Sequence, residues 1–140
     1  YIYNIYILYM SSKINKIIEK HHFQTGDILL FCSNSNGCVD KLIKFFTNSK
    51  FTHAGMIIHN PPWRKDLQGY FLLESNRENI NPDAEDNEIK VGVELTNLEE
   101  VFDYNADIYW RHISVKRDED FESKLINAHS KVHNDTPLQS

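Results

Sequence analysis

The chain has 140 residues, a length that fits one domain and can bury a core without disulfide or metal staples. Its formal net charge is −5, so no global basic field exists to hold nucleic acid. Cys32 and Cys38 are its two cysteines, too few for a disulfide framework, which makes a reducing compartment the default.

The first nine residues, YIYNIYILY, are apolar and aromatic but too short to span a bilayer, and no basic stretch precedes them as a signal peptide requires. Residues 1–10 therefore read as a tail ahead of a start at Met10, a frayed end, or an added edge strand. Over 11–22, SSKINKIIEKHH places Ile14, Ile17 and Ile18 at helical spacing behind a Ser cap, which predicts a short amphipathic helix. DILLF, 27–31, is an apolar run bounded by turn residues and predicts a buried strand that Cys32 ends. SNSNG predicts a loop, and 38–49 a helix of about three turns, with Cys38 sharing a stripe with Leu42 and Phe45.

FTHAGMIIH, 51–59, predicts the next strand. NPPWRKDLQG follows as a connection that Pro61 and Pro62 keep non-helical, and YFLLESN, 70–76, predicts a second apolar strand. RENINPDAEDNE reads as a solvated acidic loop without a role. VGVEL predicts a strand, NLEEVFDY a short helix, and DIYWRHISV a strand. The last pattern, 118–133, has acids in its first turn and predicts a helix burying Phe121, Leu125, Ala128 and Val132. Strands with irregularly interspersed helices predict an α+β domain with a mostly antiparallel sheet. The domain is expected to cover 11–140 and to continue past Ser140.

If the strands flanking NPPWRKDLQG pair as neighbours, the start of the first meets the end of the second. His53 and Glu74 then lie across the ladder, with Cβ atoms roughly 5 Å apart if directly opposite. A carboxylate receiving a ring N–H orients an imidazole, so the pair would lack only a nucleophile to form a catalytic triad. The competing reading is a half-buried histidine bonded to backbone beside a strand-end carboxylate in water. His59 shares the alternation face of His53 but lies roughly 20 Å along the strand, outside the same site.

TGDILLF, a helix, FTHAGMII and GYFLLES, taken in order, resemble the permuted branch of the NlpC-like papain-fold superfamily. That branch includes YiiX-like bacterial proteins, poxvirus relatives and lecithin:retinol acyltransferase-like enzymes. Gly26-Asp27, Thr52-His53-Ala54-Gly55 and Glu74 match its pattern in order and spacing. DIYWRHI resembles a later strand in which an apolar run precedes Arg, and the likeness covers roughly 24–135. The resemblance implies a circularly permuted papain-like fold and a cysteine hydrolase, an amidase, peptidase or lipid acyl hydrolase or acyltransferase, working through an acyl-thioenzyme. His53 would be its base, Glu74 the residue orienting it, and Asp27 structural. It implies an amide- or ester-containing substrate, peptide or lipid, and a lipid substrate would bring the protein to a membrane surface. A rival reading keeps the fold as an inactive lipid- or peptide-binding module. An intracellular or virus-encoded protein is expected.

The nucleophile departs from the pattern. The permuted family carries it on a helix after the last strands, and no cysteine follows Cys38, so it is expected beyond Ser140. Cys38, opening a helix whose dipole lowers a thiol pKa, is the substitute within the chain, although its stripe suits a buried role better. Cys32 reads as core. His21, His22, His53, His59 and the cysteines lack a compact zinc spacing. His129 and His133 form an i, i+4 pair without the Glu of a HExxH motif, which suits a solvated helix face. Neither a metal nor a cofactor is expected.

Overall fold

In the computed structural model, which describes residues 2–5, 16–18, 20–33, 49–76, 82–89, 92–104 and 106–134, six strands pair into one sheet. The strands are β1 (Ile2–Ile5), β2 (Ile28–Ser33), β3 (His53–His59), β4 (Tyr70–Asn76), β5 (Gly92–Asn97) and β6 (Ala106–Arg111). Their order across the sheet is β1-β6-β2-β3-β4-β5, and every neighbouring pair is antiparallel. Helix α1 (Leu98–Val101) leads from β5 towards β6, and α2 (Glu119–Asn134) follows β6. The α+β class and the antiparallel sheet are as expected. The first residues supply an edge strand, β1, paired with β6. Residues 16–18 and 20–21 are helical within the helix predicted over 11–22. The helix predicted over 38–49, with Cys38, lies almost entirely outside the described residues.

Both faces of the sheet are covered, which accounts for apolar runs rather than strict alternation in β3 and β4. Ile57 and Ile58 are successive, point to opposite faces, and are both fully buried. Ile57 joins Leu29, Phe31, Leu72, Ile108 and Trp110 in one core, with Leu98, Val101 and Phe102 packing from α1. Ile58 joins Phe71 and Leu95 in another, packed by Trp63, Leu67, Ala84 and Leu125.

Gly26 and Asp27 anchor the start of β2. Gly26 holds φ 94°, open to glycine and strained for other residues, and the Phe121 ring of α2 packs over it. Asp27 is completely buried. Its Oδ2 accepts from Trp110 Nε1 at 3.0 Å and from Gln24 N–H at 3.1 Å. Its Oδ1 accepts from Ile113 N–H at 3.1 Å and Arg117 Nη2 at 3.0 Å, with His112 Nδ1 at 3.0 Å. This is the structural role expected of Asp27, and it also shortens β6. The strand predicted over DIYWRHISV stops at Arg111 because the backbone at Ile113 turns to serve Asp27.

Two expectations on the other face are corrected. Helix α2 buries His129 and half-buries Phe121 and Leu125, while Ala128 is exposed and Val132 is 43% exposed. The stripe ends on a polar residue because Trp63 stacks on the His129 ring at 4.0 Å and Glu85 Oε2 binds His129 Nε2 at 3.0 Å. His129 is therefore not on a solvated face. Glu85 Oε1 also accepts from Trp63 Nε1 at 2.8 Å, and Arg64 donates to the Glu85 carbonyl. The segment read as a solvated loop thus has a structural role, and within it Asp83 is buried and accepts from the N–H groups of Glu85 and Leu95.

Two variants test these anchors by urea unfolding. Glu85→Ala removes the acceptor shared by Trp63 and His129 and should cost about 2–3 kcal/mol. Asp27→Ala removes the ion pair of Arg117, leaves the Trp110 and Ile113 donors unmet and should cost about 3–5 kcal/mol. A loss under about 1 kcal/mol in either variant would contradict its anchoring role.

Candidate functional site

The connection between β3 and β4 sets their register. Asn60 N–H donates to the Gly69 carbonyl at 2.9 Å and Gly69 N–H donates to Asn60 Oδ1 at 2.8 Å. These bonds close the ladder at His59↔Tyr70, which carries through to Gly55↔Glu74. His53 and Glu74 are therefore not directly opposite but offset by two residues on one face. Their side chains nonetheless meet, with Nε2 2.5 Å from Glu74 Oε2, because diagonal neighbours lie within reach of long side chains.

The residues beside His53 have separate tasks. Thr52 gives both its N–H, at 2.8 Å, and its hydroxyl, at 3.3 Å, to the Phe31 carbonyl, fixing the start of β3 beside β2. Gly55 makes room for a neighbour: a Cβ there would lie 2.6 Å from Leu72 Cγ, and Leu72 is fully buried. Phe31, the register partner of His53, tilts its ring against the imidazole at 5.2 Å.

Glu74 is 3% exposed, so its charge requires donors. Besides His53 on Oε2, Thr96 Oγ1 donates to Oε1 at 2.8 Å and Tyr104 OH at 2.9 Å. Burial, then the charge of Glu74, pushes the Tyr104 phenol well above its usual range, so it remains a donor. The His53 side chain is 27% exposed, so its ring is reachable from outside. With Nε2 engaged by Glu74, Nδ1 is the nitrogen left to accept a proton from a nucleophile. Sequence reasoning found His53 and Glu74 but missed Thr96 and Tyr104. Thr96 shares the face of Glu94, the register partner of Glu74, and that alternation was the one available signal. Nothing in spacing marks Tyr104.

The other residues singled out lie elsewhere. His59, at the far end of β3, stacks on Tyr70 at 4.2 Å. His21 packs against Phe23 and Trp110. Cys32 is half-buried rather than core, and strand alternation turns it away from the face of Phe31. Among the described residues no group of three or more His, Cys, Asp or Glu could hold a metal ion. No helix there is long and apolar enough to cross a membrane. A cavity of about 320 Å³ opens at the far end of the sheet, between His59 and the start of α2. Its Arg117 is committed to Asp27 and its Thr25 hydroxyl to the His59 backbone.

Gly55→Ala tests the packing that holds the pair. It should destabilise the protein by about 1–3 kcal/mol, and Leu72→Ala should absorb most of that loss when the two are combined. Simple additivity in the double variant would show that Leu72 is not the neighbour that demands glycine. A scan against models of known protein families found no match for this chain, and a search of curated proteins found none.

Proposed function

We propose that His53 and Glu74 are the base and orienting residue of a papain-like thiol hydrolase or acyltransferase of the permuted NlpC-like type. The observation that carries this reading is a partly exposed imidazole bound by a fully buried carboxylate. A surface ion pair of no consequence does not need a carboxylate with further donors on its second oxygen. The order Gly26-Asp27, Thr52-His53-Ala54-Gly55, Glu74 supports the same family.

In this reading Nδ1 of His53 takes the proton of a cysteine thiol, and the thiolate attacks the carbonyl carbon of an amide or ester. The proton passes from Nδ1 to the leaving amine or alcohol as the carbon–nitrogen or carbon–oxygen bond breaks. Water, deprotonated by the same nitrogen, or an acceptor alcohol or amine then releases the acyl group from sulfur. Glu74 holds the orientation of the ring throughout. The nucleophile is a cysteine outside the described residues: one on the helix that the family places after its last strands, or Cys38. Cys32 is turned to the other face.

Alkylation by iodoacetamide as a function of pH tests this on protein that extends past residue 140. A histidine-paired thiol stays ionised well below the pH at which a free thiol does. One cysteine should react rapidly near pH 6, and His53→Ala should slow that reaction on the order of a hundredfold. Glu74→Gln should fall between the two. If no cysteine changes its profile when His53 is removed, the thiol-hydrolase reading is wrong.

A further inference from the structure

The second oxygen of Glu74 has a role that the base and carboxylate alone do not explain. The carboxylate of a glutamate rotates freely about its last bond unless both oxygens are held. Here Oε2 faces His53 while Oε1 is held by Thr96 from β5 and by Tyr104 from the turn after α1. Phe31 packs against the His53 ring on one side and against the Tyr104 ring, at 5.9 Å, on the other.

We propose that Thr96 and Tyr104 are positioning residues that lock the plane of the Glu74 carboxylate, and through it the proton on His53 Nε2, so that Nδ1 is kept as the bare nitrogen. The inference rests on His53 being the base. Two hydroxyl donors on Oε1 keep that oxygen from competing for the ring N–H, and their separate elements prevent the carboxylate from following a shift in either one. The charged and titratable groups facing Glu74 are His53 from β3, Glu94 from β5 and Tyr104; β2 presents the uncharged Phe31. Glu94 stands opposite Glu74 in register, a second buried acid on the same face. Tyr104 suits the task because its raised pKa keeps it a donor at every pH where an imidazole can act as a base.

The experiment is NMR on the ¹⁵N-histidine-labelled chain, reading solvent exchange of the His53 Nε2 proton and the shifts of the two ring nitrogens. The wild type should show a downfield, slowly exchanging Nε2–H and a single tautomer. Tyr104→Phe and Thr96→Val each remove one donor to a charged group, and should speed exchange about tenfold with ring shifts moving towards a tautomer mixture. Thr96→Ser keeps the hydroxyl and should restore the wild-type rate, which a purely packing role would not. Exchange and shifts unchanged in both Tyr104→Phe and Thr96→Val overturn the proposal. Should Tyr104→Phe fail to fold, the Thr96→Val and Thr96→Ser pair decides the matter alone. Because no thiol enters the measurement, a failure of this test leaves the alkylation result standing, and the reverse also holds.

Discussion

A carboxylate removed from water must be met by donors, and the sheet is organised around that requirement at Asp27. The effective cost of burying an unpaired charge is several kcal/mol, a large fraction of the whole stability of a domain this size. Asp27 meets it with the nearby Gln24 N–H and with groups distant in sequence: the indole of β6, and the imidazole, backbone N–H and guanidinium of His112, Ile113 and Arg117 in the segment leading to α2. Those contacts bring the beginning of β2, the end of β6 and the entry to α2 to one point. The ladders of the central strands then run from that end of the sheet, with β2 pairing β6 on one side and β3 on the other.

Glu74 repeats the device two strands away on the same face of the sheet. Asp27 is surrounded by groups that hold the fold, and its partners are largely spent on it. Glu74 has two hydroxyl donors, Thr96 and Tyr104, and His53, whose ring is still partly open to the outside. The same physical rule therefore gives a fold anchor at Asp27 and a histidine–carboxylate pair at Glu74. What separates them is the elements each joins: Asp27 ties β2 to β6 and to the segment entering α2, whereas Glu74 ties β4 to β3, β5 and the turn after α1.

The arrangement of strands was legible because apolar runs bounded by Gly, Pro and Asn are a strong local signal, and YFLLESN coincides with β4. His53 and Glu74 were legible because antiparallel neighbours joined by one connection must bring start to end. Their offset was not, since it depends on the reciprocal Asn60 and Gly69 bonds, which spacing does not reveal. Thr96 and Tyr104 reach Glu74 from another strand and from the turn after a helix, contacts 22 and 30 residues away in sequence. The burial of His129 escaped periodicity for a related reason: a polar ring becomes a core residue only once Trp63 and Glu85 are known to await it.

The position of β5 at the margin of the sheet has a further consequence. Marginal strands open locally at lower free energy than central ones. Thr96 sits on that strand, whereas His53 and Glu74 sit on strands flanked on both sides. An excursion of β5 would release one holder of the carboxylate and would also draw Leu95 from one core and disturb Leu98 and Val101, which follow it, in the other. The hold on the Glu74 carboxylate and the persistence of the fold are therefore linked at the sheet margin, because Thr96 and Leu95 are neighbours on one strand that serve one each.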